Sequence, residues 1–231
     1  QDITQLEKAL YPAVEKFVTK HFGCFATGIN VGLRHGRIDV VGLRDTGGDL
    51  AGRDEMIAVE VKRGTQPFAT CAGQTVGYSI YADQCYLADY RPTTSFTHDE
   101  EAIARRLGIG LIRIRAGGKM DVVLTAPGQQ PIDRLRTALC EHLGYSRCAV
   151  CDNLFQRGND PKGFQNVVRQ EKNTRKALEK AVAAEKGLMY WLYDSESAQG
   201  RKATDTTYRR RYVCPDCMGA LFAHLVPTGD A

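Results

Sequence analysis

Two carboxylates and an ammonium group in the first part of the chain have the types and spacing to do chemistry together. Glu60 and Lys62 stand two residues apart in the run Met-Ile-Ala-Val-Glu-Val-Lys, which covers positions 56–62. Side chains alternate faces along a strand, so this acid and base emerge together while the valines beside them enter the core. Asp39 interrupts an apolar stretch after a His-Gly turn signal, as expected on the second strand of a hairpin that projects toward the same edge.

Converging carboxylates and a lysine favour hydrolytic chemistry at a divalent cation. Carboxylate oxygens are the ligands that Mg²⁺ and Mn²⁺ prefer, and a neighbouring lysine can steer or deprotonate the water that attacks a phosphodiester. An isolated Glu-x-Lys pair is more typical of a solvated strand, where opposite charges pair across the surface. The preceding Asp39 and the apolar residues around Glu60 and Lys62 favour the catalytic interpretation.

Asp39, the Glu60-x-Lys62 pair and their strand-turn-strand setting resemble the core of the PD-(D/E)XK nuclease superfamily. The resemblance implies a restriction-endonuclease-like α/β fold. Ile38 stands before Asp39 where the family pattern has proline, a departure that is common among divergent members.

Two flanking segments extend this resemblance. In the family, a helix after the lysine-bearing strand often carries a glutamine and a tyrosine four residues apart, and Gln74 and Tyr78 have that spacing, which resembles the RecB-like branch. The family often has an acidic residue on its first helix. Here Glu7 is the first candidate and Glu15 the second, although an acid in a first helical turn also simply complements the helix dipole.

The resemblance implies a role for each of these residues in Mg²⁺- or Mn²⁺-dependent hydrolysis. Asp39 and Glu60 would hold one or two ions, with the Val61 carbonyl as a further ligand. Lys62 would orient the nucleophilic water and stabilise developing negative charge. The glutamine and the tyrosine would position the scissile strand. Many such nucleases act as homodimers, which is an expectation from the family only.

The pattern along residues 1 to 130 predicts a mixed sheet flanked by helices. An amphipathic helix is predicted over 3–22, in which Pro12 requires that the helix starts nearby or kinks. Strands and helices then alternate; strands are predicted at 29–33, 38–43, 56–62, 85–88, 109–114 and 121–125, and helices at 68–82 and 100–107.

Residues 131–231 form a second predicted domain, a helical lobe closed by a metal. Cys148 and Cys151 form one Cys-x-x-Cys knuckle, and Cys214 and Cys217 form another, so four thiolates could close a tetrahedral site. Zinc is the default ion, an iron-sulfur cluster is a rival, and disulfides are the alternative. Helices are predicted at 163–186 and 188–193, and the remaining cysteines are predicted to be buried thiols: Cys24, Cys71, Cys85 and Cys140.

The stretch from 157 to 211 is rich in lysine and arginine and predicts contacts with DNA phosphates. A solvated helix with ordinary surface ion pairs is the alternative for any single residue. The candidates for DNA contact are Arg169, Lys172, Arg175, Lys176, Arg209, Arg210 and Arg211.

Composition sets limits on the class of protein. The chain has 231 residues, 43% hydrophobic and 25% charged, which is ordinary for a soluble globular protein with room for an α/β core and an appendage. The net charge of +4 says little by itself about nucleic acid. No apolar run is long enough for a membrane span, and the N-terminal segment is amphipathic, so a cytoplasmic protein without a membrane or nucleotide partner is expected.

These observations together predict a stand-alone, metal-dependent DNA endonuclease in repair, recombination or defence against foreign DNA. Two alternatives stay open at this point. A zinc-ribbon DNA-binding protein could keep a nuclease-like fold with a silent site, and RNA could be the substrate, because phosphodiester chemistry is common to both polymers. Restriction-type and structure-specific cleavage give the same pattern.

Overall fold

The chain divides into two compact units, Gln1–Leu143 and Gly144–Ala231. The structure, a computed structural model, describes residues 7–33, 35–47, 53–157, 164–167, 183–184, 186–193 and 208–225. The predicted domain boundary lay at residue 130, whereas the helix Asp133–His142 groups with the first unit.

A six-stranded mixed sheet is the centre of the first unit, and its strands lie side by side in chain order. The first three strands are antiparallel neighbours, the third to the fifth are parallel, and the sixth is antiparallel to the fifth. The strands are β1 (Cys24–Leu33), β2 (Gly36–Asp45), β3 (Asp54–Lys62), β4 (Gln84–Tyr90), β5 (Gly110–Ile114) and β6 (Met120–Leu124). The predicted α/β fold with a mixed sheet flanked by helices is therefore confirmed.

Helices precede, connect and follow these strands, and none of those in the described part of the chain is long and apolar enough to cross a membrane. Pro12 lies in the first turn of the first helix, where its missing N–H is not needed, so the helix starts near this proline as the sequence required. The helices are α1 (Tyr11–His21), α2 (Phe68–Gly77), which continues into a 3₁₀ turn (Tyr78–Ile80), α3 (His98–Leu107) and α4 (Asp133–His142).

One hydrophobic cluster of this unit lies between α1 and the sheet. Val59 and Val61 pack in one cluster with Val14 and Val18 of α1, which confirms that the valines of β3 enter the core. Every residue of β3 from Met56 to Lys62 is buried, so the strand has no solvated face. Glu60 and Lys62 are therefore interior charges, unlike the pairs of an ordinary surface strand.

Strand β1 forms one edge of the sheet and is irregular. Its register with β2 shifts between Cys24 and Ala26, and Asn30 has a left-handed φ of 55°. The Arg37 guanidinium of β2 donates a hydrogen bond of 2.9 Å to the Asn30 carbonyl. The edge is thus bent and partly covered by a charged side chain.

The described part of the second unit is built mainly of strands, so the predicted helical lobe is wrong there. Residues 188–193 were predicted as a helix, but they belong to the central strand of a three-stranded sheet. Residues 164–167, which fall within the other predicted helix, also form a strand. The run Leu-Met-Tyr-Trp-Leu-Tyr is apolar without a helical period, and its large aromatic residues suit a pleated surface. The elements are β7 (Tyr145–Arg147), β8 (Leu154–Gln156), β9 (Phe164–Val167), β10 (Gly187–Tyr193), β11 (Tyr208–Val213) and α5 (Pro215–Leu225).

Candidate functional site

Asp39 lies where β2 and β3 separate. The antiparallel pairing of these strands ends at Val40 and Val59. Beyond that point, the Val61 N–H donates a hydrogen bond of 2.9 Å to Asp39 Oδ2, so the carboxylate occupies the place of a backbone acceptor. The opening between the strands therefore fixes the carboxylate at the edge of the core.

The second oxygen of Asp39 is held by α1. The Tyr11 hydroxyl donates a hydrogen bond of 2.6 Å to Asp39 Oδ1. Burial and the nearby charge of Glu60 raise the pKa of Asp39 to about 6, because the hydrogen bonds from Tyr11 and Val61 and the charge of Lys62 offset them only in part. The ionised form of Asp39 is thus only partly compensated by its neighbours.

Glu60 and Lys62 form a buried ion pair, with 4% and 6% of their surface exposed. Lys62 Nζ lies 2.7 Å from Glu60 Oε1 and 3.9 Å from Glu7 Oε2. Burial lowers the pKa of Lys62, but the hydrogen bond and charge of Glu60 and the charge of Glu7 outweigh it and raise that pKa. Lys62 is therefore an ammonium group, suited to orienting a water molecule rather than deprotonating it.

Tyr78 holds Glu60 from the other side. Its hydroxyl donates to Glu60 Oε2 and lies 2.8 Å from the Arg37 carbonyl oxygen. Burial, with the charge of Glu60, raises the pKa of Tyr78, so the hydroxyl stays protonated. Gln74 is exposed on α2, whereas Tyr78 is buried just after that helix ends at Gly77. Their role in positioning the scissile strand stays a prediction.

Glu7 joins this cluster, whereas Glu15 does not. Glu7 is 7% exposed, and burial with the charges of Glu60 and Asp89 raises its pKa against the opposing charge of Lys62. Glu15 Oε1 instead accepts a hydrogen bond of 2.9 Å from Thr27 Oγ1, which ties α1 to β1. Of the two acidic candidates on the first helix, Glu7 therefore belongs to the site.

Asp89 is a member of the cluster that sequence reasoning missed. It lies beside Lys62 in the parallel pairing of β3 and β4 and is 4% exposed. Its Oδ2 accepts a hydrogen bond of 2.9 Å from Arg91 Nε, and two bonds of 2.7 Å join Arg91 to Glu100. The available signal was its position directly after the strand predicted at 85–88, because ligands gather at the carboxyl ends of strands in open α/β sheets.

The carboxylates supply the oxygen donors that a divalent cation needs, but they are occupied by protein donors. Within the described residues, no three carboxylate oxygens from different side chains lie within 4.8 Å of one another. The hydroxyls of Tyr11 and Tyr78 and the ammonium of Lys62 each hold an oxygen of Asp39 or Glu60. Carboxylate oxygens are the type of ligand that Mg²⁺ binds. Because the pKa of Asp39 is raised, a bound cation would stabilise its ionised form.

Four cysteines of the second unit form a compact group. The Sγ atoms of Cys148, Cys151, Cys214 and Cys217 all lie within 4.8 Å of one another, an arrangement that can hold a metal ion. Burial raises the pKa of Cys148, but backbone N–H groups, including those of Val150 and Cys214, outweigh it and lower the pKa to about 7. A thiolate is therefore accessible at neutral pH, as metal binding requires.

All eight cysteines are free thiols, so the structure does not contain the disulfides that were the alternative to a metal site. Outside the cluster, the predicted buried thiols are confirmed: Cys24, Cys71, Cys85 and Cys140.

Only part of the predicted basic surface can be placed. Arg209, Arg210 and Arg211 lie on β11, and Arg211 is exposed. The other candidates, Arg169, Lys172, Arg175 and Lys176, lie outside the described residues. Contact with DNA stays a prediction for the whole set.

No protein-family model matches the sequence, and neither a curated protein nor a solved structure matches the chain. The functional conclusion depends on the fold and on the chemistry of these two sites.

Proposed function

We propose that this chain is a metal-dependent nuclease that hydrolyses DNA phosphodiester bonds, with a restriction-endonuclease-like first unit. The observation that carries the proposal is the meeting of the half-buried Asp39 with the buried Glu60 and Lys62 where β2 separates from β3.

The energetic cost of this cluster supports a functional role. Ionisable groups lose solvation when they are buried, and apolar residues of similar volume often give equal or greater stability. Here Asp39, Glu60, Lys62 and Glu7 are gathered in one place, and the pKa values of Asp39 and Glu7 are raised by burial. Perturbed ionisable groups concentrate at active sites, where stability is given up for chemistry.

The order of elements also supports the proposal. Glu7 precedes α1, Asp39 lies on the second strand of a hairpin, and Lys62 ends the third strand. A helix and Tyr78 follow, and then a parallel strand. This order agrees with the resemblance drawn from the sequence.

Each residue has a defined task in the proposed reaction. Asp39 and Glu60 would hold Mg²⁺ or Mn²⁺, with the Val61 carbonyl as the further ligand, and the bound ion would activate water and neutralise charge on the phosphoryl group. Lys62 would donate hydrogen bonds to the attacking water and to developing negative charge. Tyr11 and Tyr78 keep the two carboxylates oriented.

The second unit is proposed to hold structural zinc and to contact DNA. Two Cys-x-x-Cys knuckles with gathered sulfur atoms are the usual ligands of a closed zinc site. Arginines on β11, including the exposed Arg211, would neutralise phosphates. Binding through phosphates should weaken steeply as salt concentration rises.

Replacing Cys214 with serine should release the zinc and loosen the second unit, because a structural ion contributes directly to folding. Metal analysis of the purified chain measures the first effect, and amide hydrogen exchange in residues 144–231 measures the second. Cys140→Ser, which changes a buried thiol outside the cluster, is the matched control and should keep its zinc. Equal zinc content in the Cys214 variant and the wild type would contradict the four-cysteine site.

The nuclease proposal is tested by cleavage of linear duplex, single-stranded, nicked and branched DNA, and of RNA, with Mg²⁺, Mn²⁺ or EDTA. Glu60→Gln keeps the shape of the side chain but loses its charge, and we expect at least about a 100-fold loss of cleavage. Glu101→Gln on α3 makes the same change in a surface ion pair and should leave the rate unchanged. Equal cutting by both variants would contradict the site.

One observation favours a second candidate function, a DNA-binding protein with a silent nuclease-like site. Protein donors already hold both oxygens of Asp39 and both oxygens of Glu60. Such a protein would bind DNA in the same panel without cutting it, and Glu60→Gln would bind as well as the wild type.

A further inference from the structure

Two buried carboxylate oxygens near Lys62 are without a hydrogen-bond partner in the described structure: Glu7 Oε1 and Asp89 Oδ1. Both residues are more than nine-tenths buried. A buried charged oxygen that is left unpaired costs free energy, because it has lost water and gained no donor. These two oxygens therefore suit a positively charged ligand.

The orientation of Asp89 is fixed by its other oxygen. Arg91 holds Asp89 Oδ2 in an ion pair of 2.9 Å, and Glu100 holds Arg91 in turn. Asp89 also lies opposite Lys62 in the parallel pairing, which places both side chains on the same face of the sheet. Asp89 Oδ1 is thus held on the face of the sheet that carries Glu60 and Lys62.

Gly64, in the loop after β3, lies beside Asp89 Oδ1. A Cβ atom added at Gly64 would lie 3.8 Å from this oxygen and 3.0 Å from the Tyr90 carbonyl oxygen. The φ of +70° at Gly64 also disfavours any side chain there. The loop after β3 therefore passes beside Asp89 without a side chain that would cover it.

Glu7 and Asp89 lie within range of each other's charge. The charge of Asp89 contributes to the raised pKa of Glu7. Burial raises the pKa of the Cys71 thiol, and the charges of Asp89, Glu60 and Glu7 act in the same direction. The electrostatic effect of each group on the others places them in one negatively charged region around Lys62.

Carboxylates outnumber cations in this region. Glu60 is paired with Lys62, and Arg91 is shared between Asp89 and Glu100. An ion held by Asp39 and Glu60 would leave Glu7 Oε1 and Asp89 Oδ1 uncompensated. Hard oxygen donors of this kind select Mg²⁺, Mn²⁺ or Ca²⁺, with water completing the coordination.

We propose that Glu7 and Asp89 form a second divalent-cation site next to Lys62, separate from the site at Asp39 and Glu60. The first site rests on the proposed function, whereas the second rests on the two unpartnered oxygens. Asp89 is then a ligand residue, and Arg91 and Glu100 are the residues that position it.

The test is a titration of the full chain with Mn²⁺, followed by electron paramagnetic resonance of the free ion, which counts bound Mn²⁺ without any DNA or activity. Mn²⁺ prefers oxygen ligands, so the four cysteines should contribute little to the count. We expect two bound ions in the wild type, one in Asp89→Asn, one in Glu7→Gln and one in Glu60→Gln. Asp99→Asn, an exposed carboxylate at the start of α3, is the matched control and should bind two.

The outcomes separate this inference from the proposed function. Two ions in both Asp89→Asn and Glu7→Gln, or a single wild-type ion that both of these variants keep, would overturn the second site, even if the wild type cleaves DNA. The expected counts in a protein that fails to cleave would support the second site and count against the nuclease. Because Glu7 and Asp89 come from different elements, the loss of one ion in both variants would not follow from local misfolding of either.

Discussion

Replacing Asp39 with asparagine should abolish DNA cleavage and, at neutral pH, make the protein more stable. The pKa of Asp39 is raised to about 6, so the folded state binds its proton more tightly than the unfolded chain does. The contribution of the Asp39 carboxyl group to the free energy of unfolding is therefore fully present below about pH 4. It is lost as the pH rises through about 6. Asparagine avoids the loss, which is about 3 kcal/mol at pH 7.

Chemical denaturation at pH 4 and pH 7, together with the cleavage assay, measures both effects of Asp39→Asn. The gain in stability should be present at pH 7 and absent at pH 4, because a protonated aspartic acid and asparagine are both neutral. Cleavage should fall at least about 100-fold through loss of a ligand charge. Asp99→Asn provides the control, with no effect on either. A variant that is less stable at pH 7 would show that the ionised carboxylate contributes to the fold.

Replacing Lys62 with methionine should cause the largest loss of stability among these variants. Lys62 is buried with Glu60 and Glu7, and the removal of one partner of a buried ion pair leaves an uncompensated charge that costs about 3–5 kcal/mol. The loss should be smaller at pH 5 than at pH 8, since the stranded carboxyl groups can take up protons at low pH. Cleavage should be lost at both values.

A second substitution distinguishes the charge effect from packing. Lys62→Met combined with Glu60→Gln removes both charges and should recover most of the lost stability without recovering cleavage. Lys62→Arg keeps the charge and should lose much less stability than Lys62→Met. Denaturation curves of these three variants decide the matter, and a double variant as unstable as Lys62→Met would refute the ion-pair explanation.

The parts of the fold that the sequence predicted correctly depend on local periodicity. Alternation along 56–62 placed Glu60 and Lys62 on one face and the valines on the other, as the structure has them. The strand and helix order of the first unit followed from the same short-range patterns. The grouping of the cysteines also followed from spacing, because each Cys-x-x-Cys turn brings its own two sulfur atoms together.

The parts that the sequence missed depend on contacts between distant segments. The hydrogen bond of Tyr11 to Asp39 spans 28 positions, and nothing near Tyr11 indicates it. Asp89 lies beside Lys62 because β4 pairs in parallel with β3. In the second unit, β10 is a strand because of its neighbours in the sheet, and a short apolar run alone does not distinguish a strand from a buried helix.

The bent edge of the sheet has a consequence for behaviour at high protein concentration. A long, flat edge strand offers unpaired N–H and C=O groups on which another chain can build amyloid-like sheet. In β1, the left-handed Asn30 breaks the row of evenly spaced groups, and the Arg37 guanidinium occupies the Asn30 carbonyl. We therefore expect this edge to be a poorer template for aggregation than a flat edge strand, even though Ile29 beside Asn30 is exposed.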